Sequence, residues 1–158
     1  MNVANVNDPN DPNDLNVPND PNDLRSRIDV IEASYEFMLA YAAQGASGDA
    51  STQSGGLIRE FLTRAAEALA GLGDLYTAVV ERERLEPSRY RPFGAVLDRD
   101  ARDSLAAIDL VLAQESISSQ IVDNLNASIH LRALLTDLFL IDEVFKVRLK
   151  PHTTKTTA

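Results

Sequence analysis

The sequence predicts an all-α domain, an antiparallel four-helix bundle preceded by a disordered N-terminal arm. Three observations support this prediction. Apolar residues recur at helical spacing in four long segments. No segment alternates apolar and polar residues over a length bounded by turns, the pattern that is typical of strands. Short or flexible loops join the four segments, as in antiparallel bundles, and 158 residues, 44% of them apolar, suffice for one domain with its own core.

Residues 1–23 are the predicted arm. Between Asn7 and Leu24 the chain reads NDP NDP NDL NVP NDP NDL, a repeat with a period of three residues. Asn and Asp favour turns, proline keeps the preceding residue out of the α region, and the segment has little apolar surface to bury. At the other end, residues 151–158 are predicted to form a second disordered tail, so the helical domain spans residues 24–150.

The first helix is predicted over residues 24–44, and Gly45 ends it because glycine readily takes the left-handed conformation found at helix ends. The second helix, over residues 57–85, has the clearest amphipathic pattern in the chain. Gly71 and Gly73 within it each weaken a helix by about 1 kcal/mol relative to alanine. We therefore expect these glycines to mark a bend or a close contact with another helix.

The second half of the domain is predicted to contain a corner and two more helices. Residues 86–94, EPSRYRPFG, contain two prolines and are predicted to form the corner. The third helix is predicted over residues 95–115 and the fourth over residues 117–149, with a break or helix cap near Ser116.

Composition and charge narrow the function classes. The net charge is -9, and five of the aspartates lie within the first 24 residues. An acidic chain repels the phosphate backbone, so nucleic acid is not an expected partner. The absence of cysteine excludes disulfides, thiol nucleophiles and cysteine-held metal centres. The N-terminus resembles no secretory leader and no window holds 18 uninterrupted apolar residues, so we expect a cytoplasmic protein without a membrane span.

Polar residues within the fourth predicted helix raise the question of a site. When that helix is projected at about 100° per residue, Asp123, Asn126, His130 and Asp137 fall opposite a broad apolar face that includes Phe139. We interpret these four residues as the solvent-facing side of a core helix.

Arg132 and Asp142 project into the apolar face instead, where an unpaired charge is costly. We expect them to be paired, exposed at the end of the bundle or placed at an interface, and we favour a structural polar network over a ligand site. His130, Asn126, Arg132 and Asp142 are therefore only weak candidates for ligand binding. No metal site or cofactor is predicted, because Ala127 stands where the Glu-x-x-His motif of bundle metal centres needs a glutamate.

The corner combines arginines with aromatic residues, a composition typical of protein interaction hot spots. Its candidate contact residues are Arg82, Arg84, Arg89, Tyr90, Arg91 and Phe93. Neighbouring glutamates largely cancel the arginine charge, and the alternative is a solvated turn whose aromatic side chains pack under the bundle.

The favoured interpretation is a non-enzymatic helical protein that acts through protein contacts, as an adaptor, an assembly factor or a regulatory subunit. The first and fourth helices carry more apolar surface than four short helices need, so self-association as a homodimer is expected. The alternative is a binder of a small molecule, metal or cofactor within the bundle. An enzyme is not favoured, because two histidines, one of them in the tail, and no cysteine leave few catalytic groups.

Overall fold

The structure, a computed structural model, describes residues 23–148, and every regular element among them is an α-helix. The prediction of an all-α fold is confirmed. Apart from Asp23, the predicted arm and the C-terminal tail lie outside the described residues. The described part contains α1 (Leu24–Ala42), α2 (Gln53–Leu69), α3 (Leu72–Arg82), α4 (Pro87–Leu112), α5 (Ser119–Ala127) and α6 (Ile129–Arg148).

Helix α1 agrees with the first predicted helix to within two residues. Asp23 caps its start, and the Asp23 side chain accepts a hydrogen bond from the backbone N–H of Arg25 at 3.4 Å. Ile28 and Met38 on its inner face are almost completely buried. Tyr41 is fully buried as well, and its hydroxyl donates to the carbonyl of Ile117 at 2.5 Å, which ties the end of α1 to the loop before α5.

The second predicted helix is divided into α2 and α3. Gly71 separates them in the left-handed conformation, with φ of +70°, which most other residues adopt only under strain. Gly73 allows a close approach of α3 to α4, because a Cβ atom at this position would lie 2.5 Å from the Cβ atom of Asp98. A bend or a close contact was expected at these glycines, and the structure shows an interruption of the helix at Gly71 and a close contact at Gly73.

Helix α4 begins at Pro87, eight residues earlier than predicted, so the predicted corner over residues 86–94 is wrong. Proline at the first helical position needs no N–H and has a suitable φ, so Pro87 starts the helix. Pro92 deprives the carbonyl of Ser88 of its usual helical donor. Both residues are exposed, so water can bond to that carbonyl and the helix continues.

The fourth predicted helix is interrupted, so its prediction as one continuous element is wrong. Ser118 caps α5 by accepting from the N–H of Ile121 at 3.2 Å, close to the cap expected near Ser116. A second break follows at Ser128, whose backbone is extended with φ of -62° and ψ of 142°. The Ser128 hydroxyl accepts from the N–H of Leu131 at 3.3 Å and starts α6 as a cap.

The six helices enclose one hydrophobic core. Helix α1 packs against α2 and α5, whereas α4 packs against α2, α3 and α6. Arg27, near the start of α1, donates to the carbonyl of Ala70 just beyond the end of α2, so these two helices run antiparallel. Arg59, early in α2, donates at 3.1 Å to the carbonyl of Leu112 at the end of α4, so α2 and α4 are antiparallel as well. Across residues 23–148, no helix combines the length and the apolar character that crossing a membrane requires.

We predict that Gly73→Ala lowers the free energy of unfolding by about 1 to 3 kcal/mol, because the added methyl group overpacks the contact with Asp98. Gly56→Ala is the matched control, since Gly56 is also helical and has open space around its Cβ position. That control should be neutral or raise stability by up to about 1 kcal/mol. Urea unfolding of both variants measures the difference, and equal stabilities would contradict the close α3–α4 contact.

Candidate functional site

An apolar groove of about 370 Å³ lies between α3, α4 and the second half of α6. Leu140 and Val144 form its exposed edge on α6, with 53% and 38% of their surface accessible. Large apolar side chains exposed next to each other are typical of contact surfaces. We call this feature the α3–α4–α6 groove, and its lining residues are Tyr76, Arg89, Tyr90, Phe93, Leu140, Ile141, Val144 and Phe145.

Tyr76 forms the rigid floor of the groove. Its ring packs edge-on against Phe93 of α4, with 5.9 Å between ring centroids, and lies nearly parallel to Phe145 of α6 at 6.0 Å. The Tyr76 hydroxyl donates to the carbonyl of Tyr90 at 2.7 Å. Burial raises the pKa of Tyr76, so the hydroxyl stays protonated and remains a donor. These contacts join the three helices that form the groove and give it a fixed shape.

Three of the six predicted contact residues line the groove, namely Arg89, Tyr90 and Phe93. Both aromatic side chains are half-buried and pack against the core, while Arg89 is exposed at the rim. The Arg89 Nε atom lies 3.7 Å from a carboxylate oxygen of Glu86, an exposed ion pair of the kind that contributes little to stability.

The other three predicted contact residues face different places. Arg82 lines a more polar cavity between α1, α3 and α6, whereas Arg84 and Arg91 lie beside a small pocket at the α3–α4 connection. Arg91 is paired with Glu81 at 3.2 Å, and Arg84 has a left-handed backbone with φ of +51°. The structure therefore places the six predicted contact residues in three different surface regions.

The α6 side of the groove was missed by the sequence analysis. Phe139 was placed on the apolar core face, yet it is 55% exposed, and Leu140 is exposed beside it. The interruption at Ser128 explains this difference, because it changes the direction of the chain between α5 and α6. A single helical projection at about 100° per residue therefore does not place the side chains of both helices correctly. A serine followed by an apolar run is a recognisable N-cap signal, and it could have indicated this break.

The four weak ligand candidates do not share one set of contacts. Asn126 is buried and donates to the carbonyl of Met38 at 3.2 Å, so its expected place on the solvent side is wrong. Arg132 is exposed rather than part of the core face. His130 is about half-exposed, with its Nδ1 atom 4.0 Å from a carboxylate oxygen of Asp103. Asp142 is the fourth candidate, and it lies against Glu32 of α1.

Glu32 and Asp142 form a carboxyl pair between α1 and α6. The side chains are within hydrogen-bonding reach, and the Oε1 atom of Glu32 is buried without a donor from the protein. Burial, followed by the hydrogen bond and charge of Asp142, raises the pKa of Glu32 from 4.5 to about 7, and Asp29 and Glu36 add to this effect. A proton on either carboxyl group provides the donor that links the two.

Asp100 and Asp137 form an equivalent pair between α4 and α6. Asp137 was expected to face solvent, but only 8% of it is exposed, and its Oδ2 atom is buried without a donor. Burial and the adjacent Asp100 raise the pKa of Asp137 from 3.8 to about 7. Helix α6 is thus joined on two sides by pairs of acidic residues whose close contact requires a proton.

Among residues 23–148, no group of three or more histidine and acidic side chains is arranged to hold a metal ion. Comparison with known proteins adds no guide to function, because no protein-family model, curated protein or solved structure matches the chain. The groove and the two carboxyl pairs are the features of the described residues that bear on function.

We predict that the folding stability of the domain decreases as the pH rises through about 7, the pKa of Glu32 and of Asp137 in the folded state. The stabilising effect of the two pairs is complete only below the pKa values of these groups in the unfolded chain, 4.5 for Glu32 and 3.8 for Asp137. The sign follows because both pKa values are raised in the folded state, so the folded state releases these protons only at higher pH. Glu32→Gln and Asp137→Asn, which supply a permanent donor, should each increase stability at pH 8 by on the order of 1 to 2 kcal/mol and have little effect at pH 5.

Urea unfolding at several pH values between 5 and 8 measures this dependence. The exposed carboxyl group of Glu67 on α2, which contributes to neither raised pKa, offers the control variant Glu67→Gln. A pH dependence that survives in the combined Glu32→Gln and Asp137→Asn variant would contradict the assignment.

Proposed function

We propose that this chain is a non-enzymatic protein that acts through protein–protein contacts, as an adaptor, an assembly factor or a regulatory subunit. The α3–α4–α6 groove is its contact surface. In this proposal the fold is an antiparallel four-helix bundle. The helices α2 and α3 together form one interrupted helix of the bundle, α5 and α6 form a second, and α1 and α4 are the other two. The bundle presents the groove as a preformed surface.

The observation that carries the proposal is the apolar groove with an arginine at its rim. Leu140 and Val144 are exposed beside the aromatic side chains of Tyr90 and Phe93, and Arg89 stands next to them. Aromatic residues and arginine are enriched where protein interfaces derive most of their binding energy. A rigid floor also lowers the entropy lost on binding, because few side chains need to be ordered.

A second candidate is the binding of a small apolar ligand in the same groove. Its volume of about 370 Å³ falls within the size range of small-molecule sites. This candidate is the ligand-binding alternative predicted from the sequence, with the aromatic lining of the groove as the binding site in place of His130, Asn126, Arg132 and Asp142. Native mass spectrometry of the protein isolated from its own cells distinguishes the two, since a small ligand adds a mass that disappears on denaturation.

We predict that a photoreactive amino acid at position 140 forms a covalent adduct with another protein chain when the full-length protein is expressed in its own cells. Leu140 is exposed at the edge of the groove, so the reactive group would lie within the contact. Adding Val144→Glu, which places a charge on the same apolar edge, should reduce the adduct at least fivefold.

Position 78 provides the matched control, because Ala78 is an exposed helical residue on α3 that does not line the groove. The proposal requires a discrete adduct at position 140 and none at position 78. Equal labelling at both positions, or no adduct at either, would overturn it.

A further inference from the structure

A row of exposed residues runs the length of α4. Counted along the helix, the row follows alternating steps of three and four residues, so its members form one line on the surface. They are Arg89, Pro92, Val96, Arg99, Asp103, Ala106 and Leu110, and all seven are exposed. Val96 is 45% exposed, and Leu110 is 68% exposed. We call this row the α4 stripe.

The charges along α4 are unequally distributed. Residues 87–97 contain two arginines and no acidic residue, whereas residues 98–112 contain four aspartates and two arginines. The first part of the helix therefore carries a charge of +2 and the second part a charge of -2. Such a helix is complementary to a copy of itself that runs in the opposite direction, because each positive part then lies beside a negative part.

The positions of the charges within the stripe define a register. Arg89 and Asp103 each lie seven residues from Val96, which is about 10.5 Å along the helix axis in each direction. A two-fold axis through Val96 would therefore place Arg89 of each copy level with Asp103 of the other. Within one chain, Arg89 lies 3.7 Å from Glu86 and Asp103 lies 4.0 Å from His130. Both ion pairs are exposed and contribute little to stability, so these side chains can form other pairs in a dimer.

We propose that the occupant of this face is a second copy of the chain, whose α4 packs antiparallel to α4 around a two-fold axis at Val96. Arg89 of each copy pairs with Asp103 of the other, and the exposed side chains of Leu140 and Val144 on the adjacent α6 are covered in the same interface. This inference rests on the proposed function and names the partner at that surface.

The available area is sufficient for a stable dimer. Helices α4 and α6 contain 26 and 20 residues, so they are about 39 and 30 Å long. With helix axes about 10 Å apart, their outer faces together offer on the order of 700 Å² per copy. Stable interfaces bury about 600 to 1,000 Å² per partner.

A cysteine at the axis tests the register directly, because the chain contains no other cysteine. In the proposed dimer the two Val96 residues face each other across the axis, within the range of about 4.4 to 6.8 Å between Cα atoms that a disulfide needs. We expect Val96→Cys to form a disulfide-linked dimer quantitatively under mild oxidation with copper phenanthroline. Ala106→Cys lies on the same stripe, but ten residues from the axis, so the two copies of it would be roughly 30 Å apart and should not cross-link.

Charge reversal tests the pairing. Arg89→Asp and Asp103→Arg should each weaken the dimer at least tenfold in sedimentation equilibrium, because each removes both symmetric pairs and places like charges together. The combined variant should bind within about threefold of the original protein, since the pairs are restored with reversed polarity. Arg64→Asp, an exposed reversal on α2, is the control and should leave the dimer unchanged. Circular dichroism checks that each variant remains helical.

The outcomes separate this inference from the proposed function. A monomer at all concentrations up to about 100 μM, equal cross-linking at positions 96 and 106, or no recovery in the combined variant would each overturn the second-copy arrangement. If position 140 still forms an adduct with a different protein, the contact function stands and only the identity of the partner is wrong. If position 140 forms no adduct and the chain is monomeric, both fail.

Discussion

The extended backbone at Ser128 is the constraint on which the α3–α4–α6 groove depends. It ends α5 with Asn126 buried and starts α6 in a new direction, and that direction determines which α6 side chains face the core. Leu134 and Leu138 become fully buried, while Leu140 and Val144 become accessible at the edge of the groove. A continuous helix would keep α5 and α6 in one phase and could not bury Asn126 and Leu138 while exposing Leu140 in this way.

The same direction of α6 creates its two carboxyl pairs. Asp137 faces α4 and Asp142 faces α1, so the helix is joined to two neighbours through groups that repel each other when both members are ionised. Leu140 lies between these two aspartates in the sequence, and Ile141 and Phe145 belong to both the groove and the adjacent polar cavity. The two carboxyl pairs and the α6 side of the groove are therefore features of one helix.

The sequence predicted the fold class and much of the helical structure, because local signals determine these features. The limits of α1 follow from a capping aspartate and an apolar periodicity, and the division between α2 and α3 follows from Gly71. The start of α4 was missed because two prolines close together were interpreted as a corner, although Pro87 occupies the helical position that proline favours. Arg89, Tyr90 and Phe93 were identified from composition alone. Leu140 and Asp137 were not, because the interruption at Ser128 was not predicted and because their environment is set by packing against α3 and α4.

Residues whose polarity does not match their exposure are concentrated on α6 and the adjoining side of α4. An isolated domain would be more stable with an apolar residue at position 137 and polar residues at positions 140 and 144, because buried carboxyl groups are costly and exposed leucine and valine gain nothing from water. The chain has the reverse arrangement at three positions within eight residues of one helix. Departures from the rules of stability that gather in one place are typical of functional surfaces. A partner that covers Leu140 and Val144 would account for the exposed apolar residues.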